Sequence, residues 1–115
     1  MRVLVVDDNE VVRLILKRMI ELLSLGEVVA AASVSEALTL LDGVDRIVLD
    51  LMMPGEDGTA LLHHLQQTGH RAKVAVLTGA IDASDVAQRA RTFKPDLYLN
   101  KPIELHELTD WLRLA

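Results

Sequence analysis

Cysteine is absent from the 115-residue chain, which excludes disulfide bonds and thiolate metal sites. Long apolar runs are absent too, and none approaches the roughly 18 residues that suggest a membrane span. The opening run Val3-Leu4-Val5-Val6 meets Asp7-Asp8 at once, too soon for the apolar stretch of a signal peptide. Basic residues are outnumbered, 12 Lys and Arg against 17 Asp and Glu, for a net charge of -5. The basic footprint required for direct contact with nucleic acid or an anionic membrane is therefore missing. Linkers, internal repeats and low-complexity segments are also lacking. What remains is ordinary for a folded protein, with 50% of residues hydrophobic and 25% charged. These features point to one soluble, cytoplasmic domain spanning residues 1–115, with an acidic balance that suits a cation-binding pocket.

Residues 3–6 form a β-branched and leucine run, the pattern of a strand covered on both faces. Helical spacing follows to about residue 23. Val11, Leu14, Ile15, Arg18, Met19 and Leu22 recur at i, i+3, i+4 intervals, while Arg13, Lys17 and Glu21 fall elsewhere. Asp8 or Asn9 can cap this helix and Gly26 can end it. A second strand is expected over 28–32, and Ser33-Val34-Ser35-Glu36 reads as a capping box opening a helix that runs through Leu41. A third apolar run, 47–49, arrives at Asp50, and Pro54 and Gly55 behind it make a loop. The pattern then predicts a helix over 59–67 with Leu61, Leu62 and Leu65 as its stripe, and a strand over 73–77 closing at Thr78-Gly79. An Ala-rich helix follows, from Asp82-Ala83-Ser84-Asp85 to about residue 92, then a short strand over 96–99 ending at Asn100-Lys101-Pro102. The last helix is expected over 103–114, with Leu105, Leu108 and Leu112 on one face. Strands alternating with helices imply parallel strands joined by right-handed crossovers, with helices on both faces of the sheet. The expected fold class is a doubly wound five-stranded α/β sandwich.

Asp7, Asp8, Asp50, Thr78 and Lys101 come from four different strands, and each falls at or just past a strand's carboxyl end. In an open parallel sheet those ends share one edge, and ligands bind in the crevice where strand order reverses. For the order 2-1-3-4-5, that crevice lies between the strands carrying Asp7, Asp8 and Asp50. At about 5 Å each carboxylate pair repels by roughly 1 kcal/mol in water and roughly 3 kcal/mol at an effective dielectric near 20. Such a crevice must take up protons or a cation. Carboxylates without cysteine or a nearby histidine suit a hard, oxygen-seeking ion, Mg²⁺ where phosphate is handled, with Mn²⁺ as the alternative. Lys101 adds a point charge able to hold a phosphoryl oxygen, and Thr78 a hydroxyl. Together these residues describe a phosphoryl-transfer site with an aspartate as covalent acceptor. Singly, each has a plainer reading: Asp8 as a helix cap, Thr78 as a strand-end residue, Lys101 as a surface lysine. Their convergence on one edge is what argues for chemistry.

The chain resembles the receiver domain of bacterial two-component response regulators. The resemblance is carried by Val3-Leu4-Val5-Val6-Asp7-Asp8-Asn9, by the stretch from Val48-Leu49-Asp50 through Met53-Pro54-Gly55-Glu56-Asp57-Gly58, by Val76-Leu77-Thr78-Gly79-Ala80 and by Tyr98-Leu99-Asn100-Lys101-Pro102, in family order and over essentially the whole chain. It implies a flavodoxin-like (βα)5 fold and a phosphoryl group passed to Asp50 from a sensor histidine kinase or a histidine phosphotransfer protein. It further implies that Asp7, Asp8, Asp50 and the Met52 backbone carbonyl hold Mg²⁺, and that Lys101 neutralises the acyl phosphate from beside a cis bond to Pro102. Thr78 and Tyr98 would form the switch, Tyr98 turning from an exposed to a buried rotamer and remodelling the face made by the fourth helix, fifth strand and fifth helix. A downstream output domain or target protein would read that change, with the domain as a monomer or a phosphorylation-dependent homodimer, and residues 1–115 either standing alone or opening a longer regulator.

Some positions depart from the family pattern. Phe93-Lys94-Pro95 replaces the small Ala-Gly-Ala turn of many receivers, and Met52 and Ala80, which flank the pocket, cannot orient a water molecule. Slow loss of the phosphoryl group is the expectation. Two alternatives share parts of the pattern. A haloacid-dehalogenase-like phosphatase would need a second Asp where Met52 stands, and a pseudo-receiver scaffold would not need the complete pocket this chain carries. His63 and His64 are adjacent on a helix and point apart, His70 and His106 read as lone solvated residues, and Trp111 as a core or rim anchor.

Overall fold

The computed structural model describes residues 1–79 and 85–114. In chain order the elements are β1 (Arg2–Val6), α1 (Glu10–Leu22), β2 (Glu27–Ala31), α2 (Val34–Leu38), β3 (Arg46–Asp50), α3 (Thr59–Thr68), β4 (Lys73–Thr78), α4 (Asp85–Thr92), β5 (Leu97–Asn100) and α5 (Leu105–Arg113). All strand pairs are parallel, in the order β2-β1-β3-β4-β5 that the alternation implies. Register decides what meets at the carboxyl edge. Val6 lies opposite Leu49, so Asp7 and Asp50 leave neighbouring strands at one height. Asp50 lies opposite Leu77, and Thr78 opposite Asn100, next to Lys101.

The alternation of side chains along each strand divides the interior into two layers. Leu4, Val6, Ile47, Leu49, Val74 and Val76 pack with Val34 and Ala37 of α2, the leucine stripe of α3 and Ala90 of α4. Val3, Val5, Val48, Ala75 and Leu77 pack on the other face with Leu16 and Ile20 of α1 and with Leu108, Trp111 and Leu112 of α5. Burial on both faces is why the strands read as unbroken apolar runs. Each fully buried leucine in these layers contributes roughly 1.5–3 kcal/mol relative to an exposed one.

The helices differ from expectation in instructive ways. The i, i+3, i+4 set on α1 is largely its outer face: Val11 is 63% and Leu22 81% exposed, and Leu14 and Ile15 are exposed as well. The inner face is Val12, Leu16, Met19 and Ile20. Apolar residues fit two stripes on this helix, and the stripe containing Arg18 loses to the one without a charge. Helix α2 is short, because after Leu38 a tighter turn takes over, with Thr39 and Leu40 N–H groups donating to Glu36 and Ala37 carbonyls at 3.1 and 3.0 Å. Half of the capping box forms: Ser33 Oγ accepts the Glu36 N–H at 3.1 Å. The next N–H, that of Val34, donates to Glu56, from the loop after β3, at 3.2 Å. On α5, Leu105 is exposed and Trp111 takes its expected place in the core, with the Arg46 guanidinium carbon 5.8 Å from its ring centroid.

His70 is not a solvated residue. Its Nδ1 accepts the Ala72 N–H at 3.1 Å, so Nε2 carries the proton and donates to the Leu41 carbonyl at 2.9 Å. The neutral ring ties the α3–β4 turn to the segment before β3. Residues 82–84 of the expected α4 start lie outside the described residues.

Candidate functional site

Asp7 is the first residue beyond β1 and only 1% exposed. Its N–H donates to the Ala31 carbonyl at 3.1 Å, its Oδ1 accepts the Asn9 N–H at 2.9 Å, and its carbonyl accepts from Arg13 Nη1 at 2.7 Å. Asn9 is the cap of α1, its Oδ1 accepting the Val11 and Val12 N–H groups at 2.9 and 3.2 Å. Asp8 is thereby left out of the capping and stands exposed at the mouth of the crevice.

Asp50 ends β3 and is 3% exposed. Its Oδ1 accepts the Met52 N–H at 2.9 Å, and Lys101 Nζ lies 3.0 Å from Oδ2. The loop behind it buries Leu51 and Met53 and exposes Met52. Gly58 lets this loop fold back on the acceptor strand, since a Cβ there would sit 3.1 Å from Leu51 Cδ2 and 3.3 Å from Leu51 Cα. Lys101 is brought in by its own N–H, which donates to the Thr78 carbonyl at 2.7 Å, and its bond to Pro102 is cis. Thr78 is fully buried beside it. Tyr98 is half-buried, with the Arg91 guanidinium carbon 4.8 Å from its ring centroid, a cation–π arrangement rather than a freely exposed ring. Ala80 lies outside the described residues.

One carboxylate oxygen from each of Asp7, Asp8 and Asp50 falls within 4.8 Å of the others. Burial pushes the Asp7 carboxyl above its usual range, and the charges of Asp50 and Asp8 add to this; the Asn9 N–H and Lys101 work against it. Asp7 Oδ2 is buried without a hydrogen-bond partner among the described residues. A buried unpaired acceptor costs roughly 1–3 kcal/mol and needs a reason. A hard cation in an all-oxygen donor set supplies one, so these residues fit such an ion.

Two neighbours of Asp50 carry no sequence reading as site residues. Glu56 reaches α2, as above. Asp57 Oδ1 accepts from Thr59 N–H at 2.9 Å and Thr59 Oγ1 at 2.5 Å, while Oδ2 pairs with Arg89 Nη2 of α4 at 3.2 Å. The Thr59 hydroxyl holds the Asp57 carboxyl below its usual range, with the Thr59 N–H and Arg89 assisting against some desolvation. The Asp-x-Thr spacing before α3 is a readable turn signal, an aspartate accepting the N–H two residues on. Glu56 has none, because its partner is 22 residues away.

A parallel α/β sheet of this order, with an acidic crevice at its switch point and a lysine on the central carboxylate, defines a receiver-type signalling domain. The family model of the response regulator receiver domain matches residues 3–113, and the chain belongs to that family. It is 36% identical to the response regulator MprA of Mycobacterium avium over 115 residues, covering 98% of this chain and 50% of that protein. The receiver domain of Francisella response regulator 1452 superposes with a TM-score of 0.83 at 30% identity, covering 96% of this chain and 92% of that one. A response regulator from Burkholderia pseudomallei superposes with a TM-score of 0.81 at 31% identity, covering 97% of this chain and 66% of that one. The chain spans half the length or less of the curated relatives it matches. Among the described residues, no helix is long and apolar enough to cross a membrane.

Proposed function

We propose that this receiver domain takes a phosphoryl group onto Asp50 from the phosphohistidine of a partner protein, in a reaction dependent on Mg²⁺ or Mn²⁺, and holds it as a signal. The observation that carries the reading is Lys101 Nζ at 3.0 Å from Asp50 Oδ2, in a crevice where an oxygen of Asp7 and one of Asp8 lie within 4.8 Å of one on Asp50. Asp7, Asp8, Asp50 and the Met52 carbonyl would hold the ion, which supplies positive charge where two anions must approach.

An Asp50 carboxylate oxygen attacks phosphorus, the phosphorus–nitrogen bond breaks, and its electron pair leaves with the donor imidazole. The product is an acyl phosphate. Lys101 transfers its contact from Oδ2 to a phosphoryl oxygen, and the Thr78 hydroxyl bonds another. Arg91 over Tyr98 then becomes part of what must yield when the ring turns inward. The solved Burkholderia relative is described with a phosphorylated aspartic acid, which supports an aspartate as the acceptor. The donor would be a sensor histidine kinase or histidine phosphotransfer protein in the cytoplasm, and an output domain or target protein would read the result. The exposed apolar side of α1 starts at Val11, close to the Asp8 rim, and offers such a donor a surface. A phosphatase is disfavoured because Met52 occupies the place of its second aspartate.

Incubation with Mg²⁺ and acetyl phosphate, or a beryllofluoride mimic, tests this by intact mass and Trp111 fluorescence. A stable single adduct that disappears in Asp50→Ala is expected. Turnover of excess donor would overturn the reading in favour of a phosphatase, and no adduct in favour of a scaffold. Loss of the phosphoryl group within seconds of donor removal would contradict the slow release expected from Met52.

A further inference from the structure

We propose that Glu56 is a positioning residue for the metal-binding loop: by bonding to the first turn of α2, it fixes the backbone that presents the Met52 carbonyl. This rests on the metal-dependent reading of Asp50 given above. Glu56 is not a member of the carboxylate cluster, which comprises Asp7, Asp8 and Asp50 among the described residues. Its half-buried carboxylate turns away to α2, where both oxygens accept the Val34 N–H at 3.2 Å. Bonds of this kind, to an ionised acceptor, are stronger than neutral ones.

The geometry of the loop makes that bond consequential for Met52. On one side the Met52 N–H is held by Asp50 Oδ1 at 2.9 Å. On the other, Met53 is buried in the α2–α3 layer and its carbonyl accepts the Glu56 N–H at 3.0 Å, closing a turn through Gly55 at φ +77°. Met52, itself exposed, thus sits between two clamps, and the outer clamp ends in the Glu56 side chain. Val34 is a firm anchor, buried in the core and preceded by Ser33, which caps the same turn. Residues that orient a metal ligand without touching the metal typically change affinity by 10–100-fold when removed.

The tie can be cut from either end. Glu56→Ala removes the acceptor and Glu56→Gln keeps an oxygen without the charge. Val34→Pro removes the donor without leaving the helical start, though it also alters a buried side chain, so its melting temperature is read beside its affinity: proline is favoured at the first helical position, and Ser33 before it is already extended at φ -152°, ψ 163°. Mg²⁺ affinity by calorimetry, and amide exchange of the Met52–Met53 segment without metal, are the readouts; melting temperature is recorded alongside. Glu56→Ala and Val34→Pro should each weaken Mg²⁺ binding by about tenfold and speed exchange, Glu56→Gln should fall between them and wild type, and the Ala/Pro double variant should be no worse than either single. Unchanged affinity and exchange in Glu56→Ala or, should that variant fail to fold, in Glu56→Gln would overturn the proposal even if melting shifted, as would multiplying effects in the double variant. Failure of the wild type to bind Mg²⁺ would instead sink the functional reading, and the metal-free exchange would still judge the tie.

Discussion

The two edges of the sheet handle charge in opposite ways. At the amino edge, charged residues are closed by backbone groups. Asp45 Oδ2 accepts the Arg2 N–H at 2.8 Å at the start of β1, and Asp96 Oδ2 accepts the Val74 N–H at 2.8 Å near the start of β4. Arg46 donates to the Asp45 and Leu114 carbonyls at 3.1 and 2.8 Å with its Nε left without a hydrogen bond, Arg2 Nε lies 3.5 Å from Glu27 Oε1, and His70 is bonded at both nitrogens. At the carboxyl edge, three carboxylates crowd together, one buried oxygen is unpaired, and a single lysine answers them. The first arrangement pairs most of its polar groups within the protein itself. The second leaves negative charge in excess and so fits a cation, the mark of a binding site rather than a structural polar cluster.

The largest expected break in this contrast is metal-dependent stability. At about 100 times its dissociation constant, Mg²⁺ should stabilise the wild type by about 2.7 kcal/mol. Asp7→Asn should abolish that gain. Without metal the same variant should be more stable than wild type by about 1 kcal/mol, since it removes a desolvated like charge and offers an amide donor to Asp50 and Asp8. Chemical denaturation of both proteins with and without Mg²⁺ measures all four values, and a destabilised metal-free Asp7→Asn would refute the account of the crevice.

The next effect is in pH. Because the folded Asp7 carboxyl titrates above the ordinary carboxylate value, the native state holds more protons than the unfolded state between those two values. Metal-free stability should therefore gain from Asp7 as pH falls into that window and lose that gain as pH rises through it. The advantage of Asp7→Asn over wild type should shrink accordingly on acidification. Asp57 has the opposite sign: its depressed carboxyl contributes above the ordinary value and the contribution is lost as pH falls through the folded one. Mg²⁺ affinity should weaken on acidification, starting above the usual carboxylate range, and an affinity unchanged at low pH would contradict the site. At the amino edge a smaller, metal-independent response is expected. His70→Ala removes two hydrogen bonds at a half-buried position and should cost about 1 kcal/mol whether or not Mg²⁺ is present. A cost that changed with Mg²⁺ would mean the two edges communicate.

Much of this was legible in the chain because strand and site share one signal. An apolar run that stops at Asp7, Asp50 or Thr78 states both where a strand lies and what it delivers, and alternation supplies the order that brings those ends together. What escaped reading depends on partners distant in sequence. His70 is bonded to the backbone of Leu41 and Ala72, groups every residue possesses, so no side-chain pattern announces them. Glu56 has the same difficulty, its partner being the N–H of Val34. Leu105 failed for a different reason: periodicity places residues on a face but does not say how much of that face is covered at a helix's first turn.

Helix α1 is the sharpest case, because its two faces carry a large and a very small expected effect on stability. With apolar side chains on both sides, its periodicity could not choose the inner face. The choice is testable in pairs. Leu16→Ala should cost about 2–5 kcal/mol, as for a buried leucine, whereas Leu22→Gln, at 81% exposure, should stay within about 0.5 kcal/mol of wild type. If the outer face serves the donor protein, Leu14→Ser with Ile15→Ser should leave acetyl phosphate labelling of Asp50 intact while slowing transfer from a phosphohistidine protein. Equal slowing with both donors would place the defect in the crevice, and no slowing with either would leave the outer face of α1 without a part in transfer. A single substituted helix thus separates what the fold needs from what the signal needs, the same division that sets the amino edge of the sheet apart from the carboxyl edge.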